Sequence, residues 1–508
     1  MSSPLPSFLR PLQDTLGAGA AVPQAPQAQA PQTQEQPPPR QPQPQQASFA
    51  DFLKAEAAKA GLVTNSSSVA ASSAASSAAS TSAAPAEKCR FMIVGTHAHQ
   101  YTGYSKVTYN MTRELAKEDS WLDVIHFGFQ KHPQVSPLYR PYPPQVKVID
   151  AVALELAAAQ GKEPQSSFGF AFLPEVIKRE KPHVVLIYND MSVIAQFLES
   201  IRKSGIERNF KLWAYVDQVY TMQPQPFIDL LNRDTDRVFA FTSYWKKCLK
   251  EQGVNRPLDV IGHGFDSAVF KPLPKTEARK IMGIPEDAFI YMSLNRNTPR
   301  KRYDLLVMAF TELVLKYPTK PVFLLCICDK GERGGFLIFD IYLRELKKRG
   351  ADVDRYSSRI ILSAKELSFR DDEINVFYNV ADVGVSSVEA EGWGLCNFEQ
   401  MGVGIPQVVP NVGGFKEFCN PDNSVLVEPK YRYYIPLAYS PVSGEAMSIE
   451  AHDLCIGMET YLNDTLLKQK HGAAARETVL KYTWPSVFAG MLKQLKRTHQ
   501  DVLDGVDE

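Results

Sequence analysis

The sequence of 508 residues lacks the features that mark several common protein classes. Basic and acidic residues balance at 56 each, so no overall charge favours nucleic acid or an acidic membrane surface. No apolar run approaches the roughly 18 residues that a membrane-spanning helix needs. The first residues lack a basic segment followed by an apolar core, so they do not predict a secretory signal. We therefore expect a cytoplasmic protein that binds no nucleic acid and has no transmembrane segment, with peripheral membrane contact left open.

Cysteine is sparse and scattered. No C-x-x-C pair occurs, which argues against a disulfide framework and against a zinc site, so we expect reduced thiols and no metal. Also missing are a P-loop, a G-x-G-x-x-G fingerprint, a G-x-S-x-G elbow and an H-E-x-x-H pair. The seven cysteines are Cys89, Cys248, Cys326, Cys328, Cys396, Cys419 and Cys455.

Residues 1–87 differ in composition from the rest of the chain. Pro/Gln repeats are followed by a Ser/Ala tract, and such sequences bury too little apolar surface to offset chain entropy. We expect a disordered extension, with a short amphipathic helix or partner-docking motif over residues 48–63.

Short apolar runs then alternate with helical stretches in two successive series. Runs rich in β-branched and aromatic residues predict buried strands, and their alternation with helices predicts parallel sheets covered on both faces. The first series reads RFMIVG, WLDVIHFGF, HVVLIY, KLWAYV, RVFAF and LDVIG; the second reads AFIYMSL, PVFLLCIC, RIILSA, ADVGVSS, PQVVP and SVLVE. We therefore expect an α/β fold with domains at 88–270 and 271–465, and carboxyl-terminal helices at 466–508 that cross back to the first domain.

The stretch 381–418 carries the most specific pattern. The strand ADVGVSS leads through Gly392 and Gly394 into a helix beginning near Leu395, and unpaired N–H groups at such a helix start can bind a diphosphate. Glu391 precedes the helix and Glu399 lies within it. A carboxylate accepts two hydrogen bonds in one plane, which suits sugar or ribose hydroxyls.

This stretch resembles glycosyltransferase family 4, the large retaining family with the GT-B fold. Glu391, seven intervening residues and Glu399 match the family's signature; EGWGL is similar to EGFGL, and EQMGVGIPQV to EAMACGTPVV. Segment 293–306 resembles the family's G-R-L-x-x-x-K-G, with Arg296 and Lys301 at the matching separation. Asn295 and Arg302 replace its glycines. The resemblance assigns both cations to the diphosphate and the leaving nucleotide.

The first half of the chain matches the family less closely. Gly103 stands where the family has a glycine pair facing the donor phosphates. Ser105 and Lys106 could donate to a phosphate or an acceptor, and Ser105 could instead cap a helix. Asp217 follows the strand LWAYV where many members have a His-Asp pair. It could receive the acceptor proton, hold the sugar, or cap the next turn.

The resemblance implies two Rossmann-like domains facing a cleft and retaining transfer from a nucleotide-diphosphate sugar to a hydroxyl of a glycan, glycoprotein or lipid-linked acceptor. The nucleotide sugar is a co-substrate, and no bound cofactor or metal is required. The catalytic candidates are Glu391, Arg296, Lys301 and Asp217, and the donor-binding candidates are Glu399, Gly392, Gly394, Leu395 and Gly103. Two alternatives stay open: a GT-B sugar phosphorylase, and a non-catalytic nucleotide-sugar-binding scaffold.

Overall fold

The computed structural model describes residues 87–329, 332, 334–363, 369–437 and 439–504. The predicted disordered extension over residues 1–87, with its helix at 48–63, lies outside the described residues except for Glu87.

The first half of the described chain forms a seven-stranded sheet. Its neighbouring strands run parallel in the order β3-β2-β1-β4-β5-β6-β7. The strand order reverses between β1 and β4, and in such sheets ligands bind outside the carboxyl ends of the strands at that point. The strands are β1 (Cys89–Thr96), β2 (Leu122–Phe129), β3 (Lys147–Asp150), β4 (Val184–Asp190), β5 (Lys211–Asp217), β6 (Arg237–Ala240) and β7 (Leu258–Val260).

The second half forms a six-stranded sheet with the same winding. Its parallel order is β10-β9-β8-β11-β12-β13, so the reversal falls between β8 and β11. A separate antiparallel hairpin, β14 with β15, follows it. The strands are β8 (Phe289–Leu294), β9 (Val322–Ile327), β10 (Ile360–Leu362), β11 (Val383–Val385), β12 (Gln407–Pro410), β13 (Ser424–Val427), β14 (Tyr431–Ile435) and β15 (Gly444–Ser448).

Helices connect the parallel strands and cover the sheets. They are α1 (Gly103–Leu115), α2 (Ala151–Ala158), α3 (Leu173–Glu180), α4 (Met191–Ser204), α5 (Gln225–Asp234), α6 (Ser243–Glu251), α7 (Lys275–Met282), α8 (Tyr303–Lys316), α9 (Ile338–Lys348), α10 (Val353–Tyr356), α11 (Asp371–Val380), α12 (Leu395–Gly402), α13 (Phe415–Phe418), α14 (Ala451–Asn463), α15 (Thr465–Val479) and α16 (Trp484–Leu503). None of the helices in the described part of the chain combines the length and apolarity that crossing a bilayer requires.

The predicted α/β fold class is confirmed, and every predicted strand is present. Strands such as β1 are buried along nearly their whole length, as their uninterrupted apolar sequence requires when helices cover both faces. The sequence did not predict β3 or the hairpin β14–β15. β3 is only four residues long, and the YRYYI run of β14 lacks the regular alternation that marks a strand.

The last helix begins beside the segment that joins the two halves. The N–H of Phe265 donates to the carbonyl of Tyr482 at 2.7 Å, and a side chain at Gly264 would collide with Trp484. Farther along α16, the ammonium of Lys496 lies 3.3 Å from Glu118. The chain therefore passes from the second half back onto the first.

Candidate active site

The candidate site lies in the cleft between the two halves, where the carboxyl ends of the two sheets face each other. The indole N–H of Trp245, in the first half, donates to the carbonyl of Gly392 at 2.9 Å. A Cβ added to Gly103 would lie 3.0 Å from the side chain of Leu395, and one added to Gly392 would overlap a carboxylate oxygen of Asp217. Three donor-site candidates, Gly103, Gly392 and Leu395, thus lie together with Asp217 at the facing carboxyl ends of the two sheets.

Glu391 lies in a buried charged cluster with two cations. The ammonium of Lys301 donates to its Oε2, and the guanidinium of Arg300 lies 3.6 Å from the same oxygen while donating to the carbonyl of Ala390. Burial raises the pKa of Glu391, but Lys301 and Arg300 outweigh burial and hold it below its usual value. Burial lowers the pKa of Lys301, an effect that Glu391 opposes. The site therefore holds an ionised carboxylate with two positive charges beside the start of α12.

The backbone before α12 is shaped by glycine. Gly394 has a φ of +95° at the N-cap of the helix, a conformation that glycine adopts without strain. A Cβ there would lie 2.5 Å from the ring of Phe415. The helix starts at Leu395, where the sequence predicted it, and no side chain caps its first N–H groups. A helix start with free N–H groups suits a diphosphate.

Glu399 lies one turn into α12 and contacts the first half of the chain. It is almost fully buried; Lys106 of α1 donates to its Oε1, and the hydroxyl of Tyr378 donates to its Oε2 at 2.9 Å. Burial raises the pKa of Glu399 despite the nearby Lys106. A cavity of about 540 Å³ adjoins this cluster, lined among others by Glu399, Lys106, Asp371 and Phe270.

Asp217 ends β5 and points across the cleft. The hydroxyl of Tyr104 donates to its Oδ2 at 2.5 Å, and its buried Oδ1 has no hydrogen-bond partner among the described residues. Burial raises the pKa of Asp217 to about 6, although Tyr104 and Arg300 lower it in part. A carboxyl group with that pKa can accept or release a proton near neutral pH. Asp217 does not cap the next helix, α5, whose N-cap is Pro224.

Arg296 is the one catalytic candidate that the structure leaves apart from the cluster. Its side chain is 71% exposed and pairs with Glu332. The turn Pro299–Lys301 brings Arg300 and Lys301 to Glu391 instead. Arg300 lies in the segment that the sequence singled out, but only the spacing of Arg296 and Lys301 fitted the family pattern. The role of Arg296 stays a prediction.

Three polar residues near the carboxylates carried no local signal of function. Tyr104 contacts Asp217, 113 positions away in sequence, and Tyr378 contacts Glu399, 21 positions away. Asp371 contacts Lys106, 265 positions away. The suggested capping role of Ser105 is wrong, because Thr102 caps α1 and accepts from the N–H of Ser105 at 3.3 Å.

One group among the described residues has the spacing of a metal site, and it lies away from the cleft. Ligand atoms of Cys89, His183 and His499 fall within 4.8 Å of one another. Cys89 opens β1, at the amino end of the strand, whereas the candidate site lies at the carboxyl ends. The Nδ1 of His183 already accepts from the backbone N–H of Arg90 at 3.1 Å, and the guanidinium of Arg90 lies 2.9 Å from its Nε2. The arginine's positive charge opposes a cation there.

Comparison with known proteins adds evidence on the fold. No protein-family model matches the chain. A stretch of 172 residues is 28% identical to a D-inositol 3-phosphate glycosyltransferase from Streptosporangium roseum, covering 34% of this chain and 38% of that protein. The chain spans less than half the length of the first curated relatives that it matches.

Solved structures match over most of the described chain. Sucrose-phosphate synthase from Thermosynechococcus elongatus is 16% identical with a TM-score of 0.59, covering 81% of this chain and 100% of that one. Anabaena HepE, solved in complex with UDP and glucose, is 16% identical with a TM-score of 0.58, covering 80% and 100%. The chain has two Rossmann-like parallel-sheet halves arranged as in GT-B glycosyltransferases.

Proposed function

We propose that the protein is a retaining glycosyltransferase of family 4 that transfers a sugar from a nucleotide-diphosphate sugar to an acceptor hydroxyl. The observation that carries the proposal is the buried cluster of Glu391, Lys301 and Arg300 at the start of α12. Glycosyltransferases among the curated relatives and solved structures support it. In this proposal residues 88–270 form the acceptor domain and 271–465 the donor domain.

The donor is proposed to lie along α12. The diphosphate would take the free N–H groups at Leu395 and the charges of Lys301 and Arg300, while Glu399 would accept hydrogen bonds from the ribose. Two cations and a helix start can neutralise the diphosphate, so we propose that no metal is needed. HepE was solved with UDP, which supports uridine as the nucleoside.

Transfer with retention would place the acceptor oxygen on the face from which the nucleotide leaves. The bond from the acceptor oxygen to the anomeric carbon forms as the bond to the diphosphate oxygen breaks, and that oxygen keeps the electron pair. Lys301 and Arg300 would stabilise the resulting charge. The acceptor proton would pass to the leaving phosphate oxygen or to Asp217, whose raised pKa suits a proton acceptor. Glu391 would hold the sugar hydroxyls and orient the anomeric carbon.

The acceptor is proposed to be a hydroxyl of a glycan, glycoprotein or lipid-linked sugar. It would enter from the first half, where Asp217 and Tyr104 face the donor loop across the cleft. The curated relative is named for a phosphorylated inositol, a polyhydroxylated acceptor, which supports a hydroxyl as the attacking group.

Calorimetric titration of the full chain with UDP, GDP and ADP tests the donor site. We expect UDP to bind, and Glu399→Ala to weaken binding by at least about tenfold because its hydrogen bonds to the ribose are lost. Gln225→Ala, on an exposed helix start of the first half, is the matched control. A folded protein that binds none of the three nucleotides would favour the phosphorylase or scaffold alternative.

A further inference from the structure

The hairpin, β14 (Tyr431–Ile435) with β15 (Gly444–Ser448), joins the two halves of the molecule beside the candidate site. The N–H of Glu445 donates to the carbonyl of Thr221 at 2.8 Å, extending the hairpin by an antiparallel bridge to the loop after β5. The side-chain amide of Gln223 donates to the carbonyl of Ser443 at 3.1 Å. The hairpin belongs to the second half in sequence, but it is hydrogen-bonded to the first.

The same outer edge of the hairpin, farther along β15, holds Glu389. The hydroxyl of Tyr433 donates to Glu389 Oε2, and the N–H of Met447 donates to the Glu389 carbonyl at 3.1 Å. Arg302 reaches the same carboxylate at 3.3 Å and the hydroxyl of Ser448 at 3.1 Å. Both the backbone and the side chain of Glu389 are thus bonded to groups on or beside the hairpin.

Arg302 makes these contacts from a left-handed backbone conformation, which is strained for a residue other than glycine. It adopts a φ of +50°, in the left-handed region, where the family pattern has glycine. Its guanidinium also contacts Asp304 at 2.9 and 3.0 Å. These contacts with Asp304, Glu389 and Ser448 offset the strain that a glycine would avoid.

Glu389 stands two residues before Glu391, so its position constrains that of the catalytic candidate. Its side chain is 4% exposed; burial raises its pKa, while Tyr433, Arg302 and Arg300 act in the opposite sense. The intervening Ala390 packs in a small apolar cluster that spans both halves. That cluster contains Tyr220, Ala390, Ile435 and Ala446, with Val219 against it.

We propose that Tyr433 and Arg302 are positioning residues that act through Glu389 to fix Glu391 in the closed cleft. The inference rests on the proposed function for its catalytic consequence. The hairpin is hydrogen-bonded both to Glu389 and to Thr221 of the first half. Contact between the two halves therefore fixes the hairpin, and the hairpin fixes the segment from Glu389 to Glu391. A displacement of about 1 Å in a positioning group can cost about a hundredfold in rate.

Hydrogen–deuterium exchange on the ligand-free full chain tests the hold on the loop without any substrate. Tyr433→Phe keeps the ring and removes the hydroxyl bonded to Glu389. We expect amides across residues 387–394 to exchange at least about threefold faster in this variant, because the loop opens more often. Tyr434→Phe is the matched control, on the same strand with its side chain 63% exposed, and we expect no change. Unchanged exchange in Tyr433→Phe would overturn the proposal, whatever the protein binds.

Kinetics with UDP-glucose test the consequence for catalysis. We expect Tyr433→Phe to lower kcat for UDP release by about tenfold with little change in KM, since the nucleotide contacts stay in place. Glu389→Gln, which keeps an oxygen for Tyr433, is expected to retain more activity than Glu389→Ala. If wild type binds no UDP, the proposed function is refuted. Faster exchange in Tyr433→Phe would still show in that case that Tyr433 restrains the loop at residues 387–394. Wild-type kcat in Tyr433→Phe would overturn the positioning role.

Discussion

Lys301 and Glu391 form a buried ion pair, so removing either side chain leaves the charge of the other buried without its nearest partner. Lys301→Ala leaves Glu391 with Arg300 at 3.6 Å as its remaining cation. We expect transfer to fall at least about a hundredfold, because the charge on the leaving diphosphate loses its nearest partner. Initial rates of UDP release, with circular dichroism to verify folding, measure the effect. Near-wild-type turnover in a folded Lys301→Ala protein would contradict the role assigned to the lysine.

Either Arg300 or Arg296 could be the second cation, beside Lys301, that binds the diphosphate of the donor. Arg300 already lies beside Glu391, whereas Arg296 is exposed and must move to reach a diphosphate there. We expect Arg300→Ala to lower kcat more than Arg296→Ala does, with both measured as UDP release at saturating donor. A larger loss from Arg296→Ala would show that donor binding rearranges the turn Pro299–Lys301.

Asp217 makes the stability of the protein depend on pH. Its pKa is raised from 3.8 to about 6, so the folded state favours the protonated form. The stability that this group contributes is fully present below pH 3.8 and is lost as the pH rises through 6. At about 1.4 kcal/mol per pKa unit, and with the unfolded carboxyl already more than half ionised at pH 4, wild type should lose about 2 kcal/mol relative to Asp217→Asn between pH 4 and pH 7. Urea unfolding of both proteins across that range measures the difference, and parallel curves would contradict a raised pKa.

At the scale of elements, the loop into α12 depends on one left-handed glycine. Gly394→Ala forces a Cβ into a φ of +95° and against Phe415. We expect the free energy of unfolding to fall by more than about 1 kcal/mol, with UDP binding weakened because the helix start shifts. Gly490→Ala is the control, since a Cβ there meets open space on α16, and we expect it to leave stability equal or slightly raised. Equal urea midpoints for the two variants would contradict the account of Gly394.

At the scale of the whole molecule, a buried ion cluster links the two halves. Arg140, between β2 and β3, pairs with Asp371 at 3.0 Å, and Lys106 of α1 lies 3.1 Å from the same carboxylate. Asp371 opens α11 in the second half. Burial raises the pKa of Asp371, but the two cations outweigh it and lower the pKa to about 2. The stability it contributes is present above pH 3.8 and is lost as the pH falls through 2.

Removing this charge should loosen the closed arrangement. We expect Asp371→Asn to cost about 2 to 3 kcal/mol at pH 7, because Arg140 and Lys106 lose their shared anion. The radius of gyration from small-angle scattering should rise as the cleft opens, whereas Asp372→Asn, an exposed neighbour, should change neither quantity. An unchanged radius and unchanged urea midpoint in Asp371→Asn would show that other contacts hold the halves together.

Some of these features follow from local sequence alone. Each strand of the two sheets except β3 could be predicted, because a strand covered on both faces must be a continuous apolar run. The position of α12 followed from glycines and apolar spacing within a few residues. The two carboxylates, Glu391 and Glu399, could be singled out because their separation and flanking glycines lie on one continuous stretch.

Other features needed contacts between distant parts of the chain. The choice of Arg300 over Arg296 depends on the path of a single turn, and the partners of Glu399 include Lys106, 293 positions away. The hairpin β14–β15 could not be predicted from local sequence, because one of its backbone pairings is with Thr221, more than 200 positions earlier in the chain.

By itself, the sequence determined the fold class, the two series of strands and the stretch carrying the candidate site. These properties follow from burial, backbone conformation and spacing over short distances. The tertiary structure alone decided which cations lie against Glu391, how burial shifts the pKa of Asp217, and how the hairpin holds Glu389. Charge pairing and desolvation depend on separations of a few ångströms between segments that are remote in sequence, and no local pattern encodes such separations.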